Sequence, residues 1–250
     1  PEEINRKIVD HISDINFVLT EHSRRYLIKE GIKAETIFKT GSHMYEVLNK
    51  FNEKIDNSNI LEKIKIKKNN YFLFSFHREE NVDNSNNLKK ILDIINFLYS
   101  KYKIPIIIST HPRTKNRMKK ITSKNIDNKN IKFMKPFGFF DYIKLQKNSK
   151  CVISDSGTIT EESSILKFPA INLRENHERP EGMDLAAVIL TGISTKRVIE
   201  GIQITIKHFK NNPNSFVEIP DYINKNLSGQ ISRILISYID YVNREIWKKN

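Results

Sequence analysis

Cys151-Val152-Ile153-Ser154-Asp155-Ser156-Gly157-Thr158-Ile159-Thr160-Glu161-Glu162 is the stretch on which the fold turns. Its opening is dominated by apolar, β-branched residues without polar alternation, as in a strand covered on both faces. A polar turn with one glycine follows, and residues 159–166 then read as a helix. A second apolar run at 170–173 completes a strand–helix–strand unit.

The same rhythm extends upstream. Residues 71–76 form a continuous apolar strand, and residues 88–99 are helical, with apolar positions 91, 94, 95 and 98 on one face. Strands at 104–109 and 131–134 alternate with helices at 115–122 and 139–147. Short connections between such elements predict an α/β fold: a doubly wound parallel sheet with right-handed crossovers and helices on both faces. No internal repeat is visible.

Towards the amino end, residues 4–12 and 21–30 read as helices flanking a short strand at 15–19. Thr20 opens the second helix and Gly31 closes it. Thr36-Ile37-Phe38 leads to Thr40-Gly41. Residues 49–70 are polar and rich in Lys and Asn, which predicts a linker. Residues 71–227 are then expected to be one Rossmann-like domain. In the tail, residues 228–250, apolar positions 231, 234, 235, 238 and 239 predict a helix packing back on residues 1–48.

The chain has 250 residues, a formal net charge of +13 and one cysteine. A single cysteine excludes an internal disulfide framework and a Cys-based metal site. No run approaches the roughly 18–20 apolar residues that span a bilayer, so a cytoplasmic protein without a membrane partner is expected. The lysines are scattered, as in Lys63-Ile64-Lys65-Ile66-Lys67-Lys68. No basic stripe interleaved with aromatics is present, so the charge suits an anionic small molecule better than a nucleic acid.

Ligands of an open parallel sheet bind outside the carboxyl ends of its strands. The loops leaving those ends are His77-Arg78-Glu79-Glu80-Asn81, Thr110-His111-Pro112-Arg113, Asp155-Ser156-Gly157-Thr158, and Arg174 followed by His177-Glu178-Arg179-Pro180-Glu181-Gly182. Three of the seven histidines and four arginines fall there. Gly157 and Ser156 at a helix start suit phosphate oxygens; Thr158 with Glu161 also fits a capping box. His77-Arg78 offers a titratable ring and a donor fork, or a plain loop histidine beside a salt bridge. Arg179 is set to reach a diphosphate, or to pair with Glu178 or Glu181. Cys151 reads as strand packing, and His11, His22, His43 and His208 as structural or exposed.

Taken together, these loops resemble the non-hydrolysing UDP-N-acetylglucosamine 2-epimerases. The resemblance is carried by Pro1-Glu2-Glu3-Ile4-Asn5-Arg6, Thr40-Gly41, His77-Arg78-Glu79-Glu80-Asn81, Asp155-Ser156-Gly157 with Glu161-Glu162, and Glu178-Arg179-Pro180-Glu181-Gly182. It implies the two-domain glycosyltransferase-B architecture and inversion at C2 of a UDP-sugar by loss and re-addition of UDP, without a cofactor. By motif match it implies catalytic roles for Glu2 and His77. Substrate contacts are implied at Arg78, Glu80, His111, Ser156, Gly157, Glu162 and Arg179. Tyr142 falls on an aromatic that stacks on uracil, although a helix-face core residue reads equally well there.

Thr158 stands where the family usually has a second glycine, and Thr160 where it often has glutamine. Glu79 replaces a basic residue tied to an allosteric substrate site. These variants also resemble the branch that makes UDP-N-acetyl-L-fucosamine, so either sugar pair remains open. Two amino-terminal motifs of the family have no match here. The expectation is therefore an amino-terminally truncated chain, with residues 1–48 a remnant of the first domain, that keeps UDP recognition but turns over poorly. A homodimer is expected for the full-length form. The rivals are a UDP-sugar glycosyltransferase of the same architecture and a non-catalytic nucleotide-binding fragment.

Overall fold

The computed structural model describes residues 2–110, 112–121, 128–176, 178–212 and 218–249. They form two units, Pro1–Lys50 with Ile219–Asn250, and Phe51–Glu218.

The first unit runs α1 (Glu2–Ile12), β1 (Asn16–Val18), α2 (Glu21–Lys29), β2 (Ile37–Lys39) and α3 (Met44–Lys50). Strands β1 and β2 pair in parallel, with Phe17 opposite Phe38. Thr20 caps α2 by accepting the Ser23 N–H. Gly31 ends it at φ +92°, the left-handed conformation that glycine tolerates. The amides of Gly31 and Ile32 bond back to the carbonyls of Ile28 and Leu27, which is a Schellman closure. The helix Leu227–Tyr241 belongs to this unit. It places Tyr238 4.8 Å from Phe38, ring to ring, and its Ser228 amide on Glu46. Leu235 and Ile239 stay largely exposed, as do Ile4, Ile8, Val9 and Ile12 of α1.

The second unit begins with α4 (Asn52–Asp56) and α5 (Ile60–Lys63). The expected linker is thus folded: Ile55, Ile60 and Ile64 are buried, and Asp56 and Ser58 bond Lys147 and Asp141. Its polar composition concealed a thin apolar stripe.

The chain continues through β3 (Phe72–Ser75), α6 (Glu79–Val82), α7 (Ser85–Tyr102), β4 (Ile106–Ser109), α8 (Pro112–Ile121) and β5 (Ile131–Met134). There follow α9 (Phe139–Asn148), β6 (Cys151–Ser154), α10 (Thr158–Leu166), β7 (Ala170–Asn172), α11 (Pro180–Asp184), β8 (Ile189–Leu190) and α12 (Thr195–Asn211). The six strands are all parallel, in the order β5-β4-β3-β6-β7-β8. This is the doubly wound dinucleotide-binding order. Phe72, Phe74, Ile106 and Ile108 enter the core formed with α7 and α12, whereas Leu73, Ile107 and Val152 enter the other with Leu145 and Ile159. Cys151 is fully buried in the first of these cores. Among the described residues, no helix is long and apolar enough to cross a membrane.

Candidate functional site

The order in which the chain adds strands reverses between β3 and β6, where Ser75 lies opposite Ser154. Chains leaving two such strands diverge to opposite faces and open a crevice at their carboxyl ends. The two loops there are residues 76–78 and 155–157.

One carboxylate holds them together. Asp155 is fully buried. It accepts the His77 N–H at 3.2 and 3.1 Å on its two oxygens, the Arg78 N–H at 3.0 Å and the Asn81 side-chain amide at 3.0 Å. The His77 Nδ1 lies 3.4 Å from the same carboxylate. A buried carboxylate is tolerated only when hydrogen-bonded this fully. Its effect is to fix the His77 backbone and leave the ring half exposed at the crevice.

Helix α10 starts at the adjoining loop. Its N-cap is Gly157, which supplies no side-chain cap, so the capping-box reading of Thr158 and Glu161 is not realised. Both residues lie one position too far into the helix. The Ser156 hydroxyl instead contacts Thr158 Oγ1 at 2.9 Å. A Cβ at Gly157 would sit 2.9 Å from Glu178 Oε2, so a glycine admits the close approach of the loop after β7. A helix start with this access presents N–H groups and a partial positive charge.

Cations surround it. Arg179 grips Glu161 Oε1 with Nε and Nη2 at 3.0 and 2.9 Å, and its Nη1 donates to the Glu178 carbonyl at 3.2 Å. Glu161 is buried at the start of α10, where a paired cation offsets the cost of burying its charge. Arg78 donates to both oxygens of Glu178 at 3.1 and 2.9 Å, so the salt-bridge reading of this residue is realised. Arg174 Nη1 lies 2.6 Å from Glu178 Oε2. Arg174 bonding and the charge of all three arginines hold the Glu178 carboxyl below its ordinary range.

Deeper in the same end of the sheet, Glu162 is buried and accepts the Gln146 side-chain amide at 2.5 Å. Burial pushes its pKa up, against the opposing hydrogen bonds from Gln146 and Thr158. Tyr142 packs against the second core, with its hydroxyl bonded to Ser75 and Gln146, and burial raises its pKa.

His77, Arg78, Ser156, Gly157 and Arg179 therefore converge on one end of one sheet. Glu80 is exposed on α6, 4.0 Å from Arg174. Glu2 sits exposed in the first turn of α1, in the first unit. His111 lies outside the described residues. Sequence reasoning undervalued Asp155 as an organiser and passed over Asn81, Gln146 and Arg174 as partners. An acidic residue directly after a buried strand was the available signal for Asp155. Such an assembly can hold a polyanion in a fixed orientation and place a histidine beside it.

The family described as UDP-N-acetylglucosamine 2-epimerase matches residues 1–236. A protein of that name from Methanocaldococcus jannaschii is 38% identical over 221 residues, covering 86% of this chain and 60% of its own length. A structure of UDP-N-acetylglucosamine 2-epimerase from Rickettsia bellii is 48% identical with a TM-score of 0.90, covering 100% of this chain and 66% of that one. The M. jannaschii UDP-GlcNAc 2-epimerase structure in complex with UDP-GlcNAc and UDP is 35% identical with a TM-score of 0.84, over 95% of this chain and 65% of that one. The chain thus spans about 60% of the length of the curated relatives it matches.

Proposed function

The chain belongs to the UDP-N-acetylglucosamine 2-epimerase family, and on that premise we propose that its switch-point crevice binds a UDP-sugar for inversion at C2. The observation that carries this reading is Asp155, which ties the His77-Arg78 loop to the start of α10. That arrangement brings a histidine, arginines and a helix N-terminus to one place, as a diphosphate leaving group requires.

The chemistry explains the need for these groups. A proton on C2 of the sugar is weakly acidic, so its transfer to a carboxylate base is easiest when coupled to departure of UDP. Charge then accumulates on the diphosphate, where Arg78, Arg179 and the amides after Ser156 stabilise it. His77, held by Asp155, donates to the departing oxygen. Re-addition of UDP to the glycal-type intermediate, with the proton returned to C2 on the opposite face, completes the inversion. Glu162 binds the ribose hydroxyls in this reading, and Tyr142 borders the uracil side. Glu80 and His111 contribute substrate-loop contacts. The role of Glu2 as a catalytic carboxylate rests on its motif alone. We assign UDP-N-acetylglucosamine as substrate because the relatives carry that name; a cytoplasmic homodimer is part of the same proposal.

The test is incubation with UDP-N-acetylglucosamine in deuterated water, without an acceptor, followed by NMR at C2. Deuterium at C2 and appearance of the manno epimer are expected. Release of UDP only when a sugar acceptor is added would identify a glycosyltransferase instead.

A further inference from the structure

The Glu178 carboxylate stands where an anion would be held. It accepts from a single nitrogen of Arg78, Nη2, on both of its oxygens at 2.9 and 3.1 Å, and lies 2.6 Å from Arg174 Nη1. Its Oε2 is 2.9 Å from the position a Cβ would take on Gly157, the N-cap of α10. Arg174 is nine-tenths buried, and its Nε and Nη1 lack well-formed hydrogen bonds despite the short approach of the carboxylate. The carboxylate thus touches two guanidinium groups and overlies a helix start, but satisfies the second guanidinium poorly.

We propose that Glu178 is a specificity-determining place-holder: its carboxylate fills the anion seat until a ligand with two linked phosphate groups displaces it. This rests on the proposed UDP-sugar site and adds to it a criterion for entry. A single phosphate that evicts Glu178 must break its contacts to Arg78 and Arg174, and it regains no more than those two contacts. A diphosphate spans both guanidinium groups and leaves none of the donors unpaired. Glu178, only partly buried on a surface loop, is then free to swing into water. The seat therefore stays closed to inorganic phosphate and opens to nucleoside diphosphates.

Calorimetric titration of the full chain with inorganic phosphate, pyrophosphate and UDP tests this, comparing the native sequence with Glu178→Gln. The amide keeps the shape and removes the competing charge. Expected are tighter binding of all three to the variant, most of all for phosphate, and a preference for pyrophosphate over phosphate narrowed by about tenfold. Glu178→Ala, with an unchanged circular dichroism spectrum, is expected to show the same narrowing. If UDP binds the native chain but both variants leave the preference unchanged or weaken every ligand, Glu178 is not a place-holder, and the UDP site itself stands. Absence of UDP binding to the native chain and both variants overturns the site and the place-holder together.

Discussion

The two units differ in how completely they cover their apolar surface. In the second, a six-stranded sheet is packed on both faces, and Phe72, Leu73, Phe74, Ile106, Ile107 and Ile108 are all fully buried. In the first, two short strands carry three helices and a terminal helix, while Ile4, Ile8, Val9 and Ile12 along α1 are 54–76% exposed. A parallel sheet covered on both faces can hold side chains in place to within a fraction of an ångström, because every rotamer is constrained by packing. The candidate site sits at the end of the well-packed sheet. Its precision follows from the strands beneath it.

The sharpest way to break this contrast is to truncate one residue in each unit. Phe74→Ala is expected to cost about 3–5 kcal/mol, whereas Ile8→Ala on α1 changes stability by no more than about 0.5 kcal/mol. Urea unfolding followed by circular dichroism measures both, and equal losses would remove the distinction. Next, Asp155→Ala leaves three backbone and side-chain donors without their acceptor. A stability loss of about 3 kcal/mol is expected, together with UDP affinity lowered by at least about tenfold. Asp155→Asn, which keeps an acceptor oxygen, is expected to fall between that variant and the native chain.

A pH series sharpens the comparison within the site. Burial raises the pKa of Glu162 above its unfolded value. The folded state therefore binds more protons, and stability falls as pH rises from about 4.3, the free carboxyl value, through the raised folded value. Glu162→Gln removes that dependence, so thermal melts should show the variant gaining on the native chain from pH 4 to pH 8. A parallel pH response in both proteins would contradict the raised pKa of the buried Glu162 carboxyl. Within the site, the smallest effect is expected for Gly157→Ala. Its methyl group meets two side-chain atoms, Glu178 Oε2 at 2.9 Å and Arg179 Cζ at 4.0 Å, so a cost of about 1 kcal/mol is expected in a melt.

The sheet was legible because its strands are unbroken apolar runs and its helices keep their period. Thr20 and Gly31 were legible because cap chemistry is local. Helix α12 was not anticipated: Gly201 interrupts its pattern, yet a Cβ there would meet Thr191 Cγ2 at 3.0 Å, so the glycine permits close packing on the sheet. Strand β8 has only two residues, Ile189 and Leu190, too few to show a pattern. At the site, the types of His77, Arg78 and Arg179 pointed to an anion. Their partners could not be read, because chain order places β4 after β3, whereas the sheet places β6 beside it. Only that adjacency lets Asp155 reach the amides of His77 and Arg78.

Hydrogen–deuterium exchange of the chain with and without UDP tests the location of the site most directly. Slowed exchange at the amides of residues 77–81, 156–160 and 178–182, with the rest unchanged, is the expected pattern. Protection confined to residues 2–50, or none at saturating UDP, would show that the loops at the β3–β6 reversal do not form the binding site.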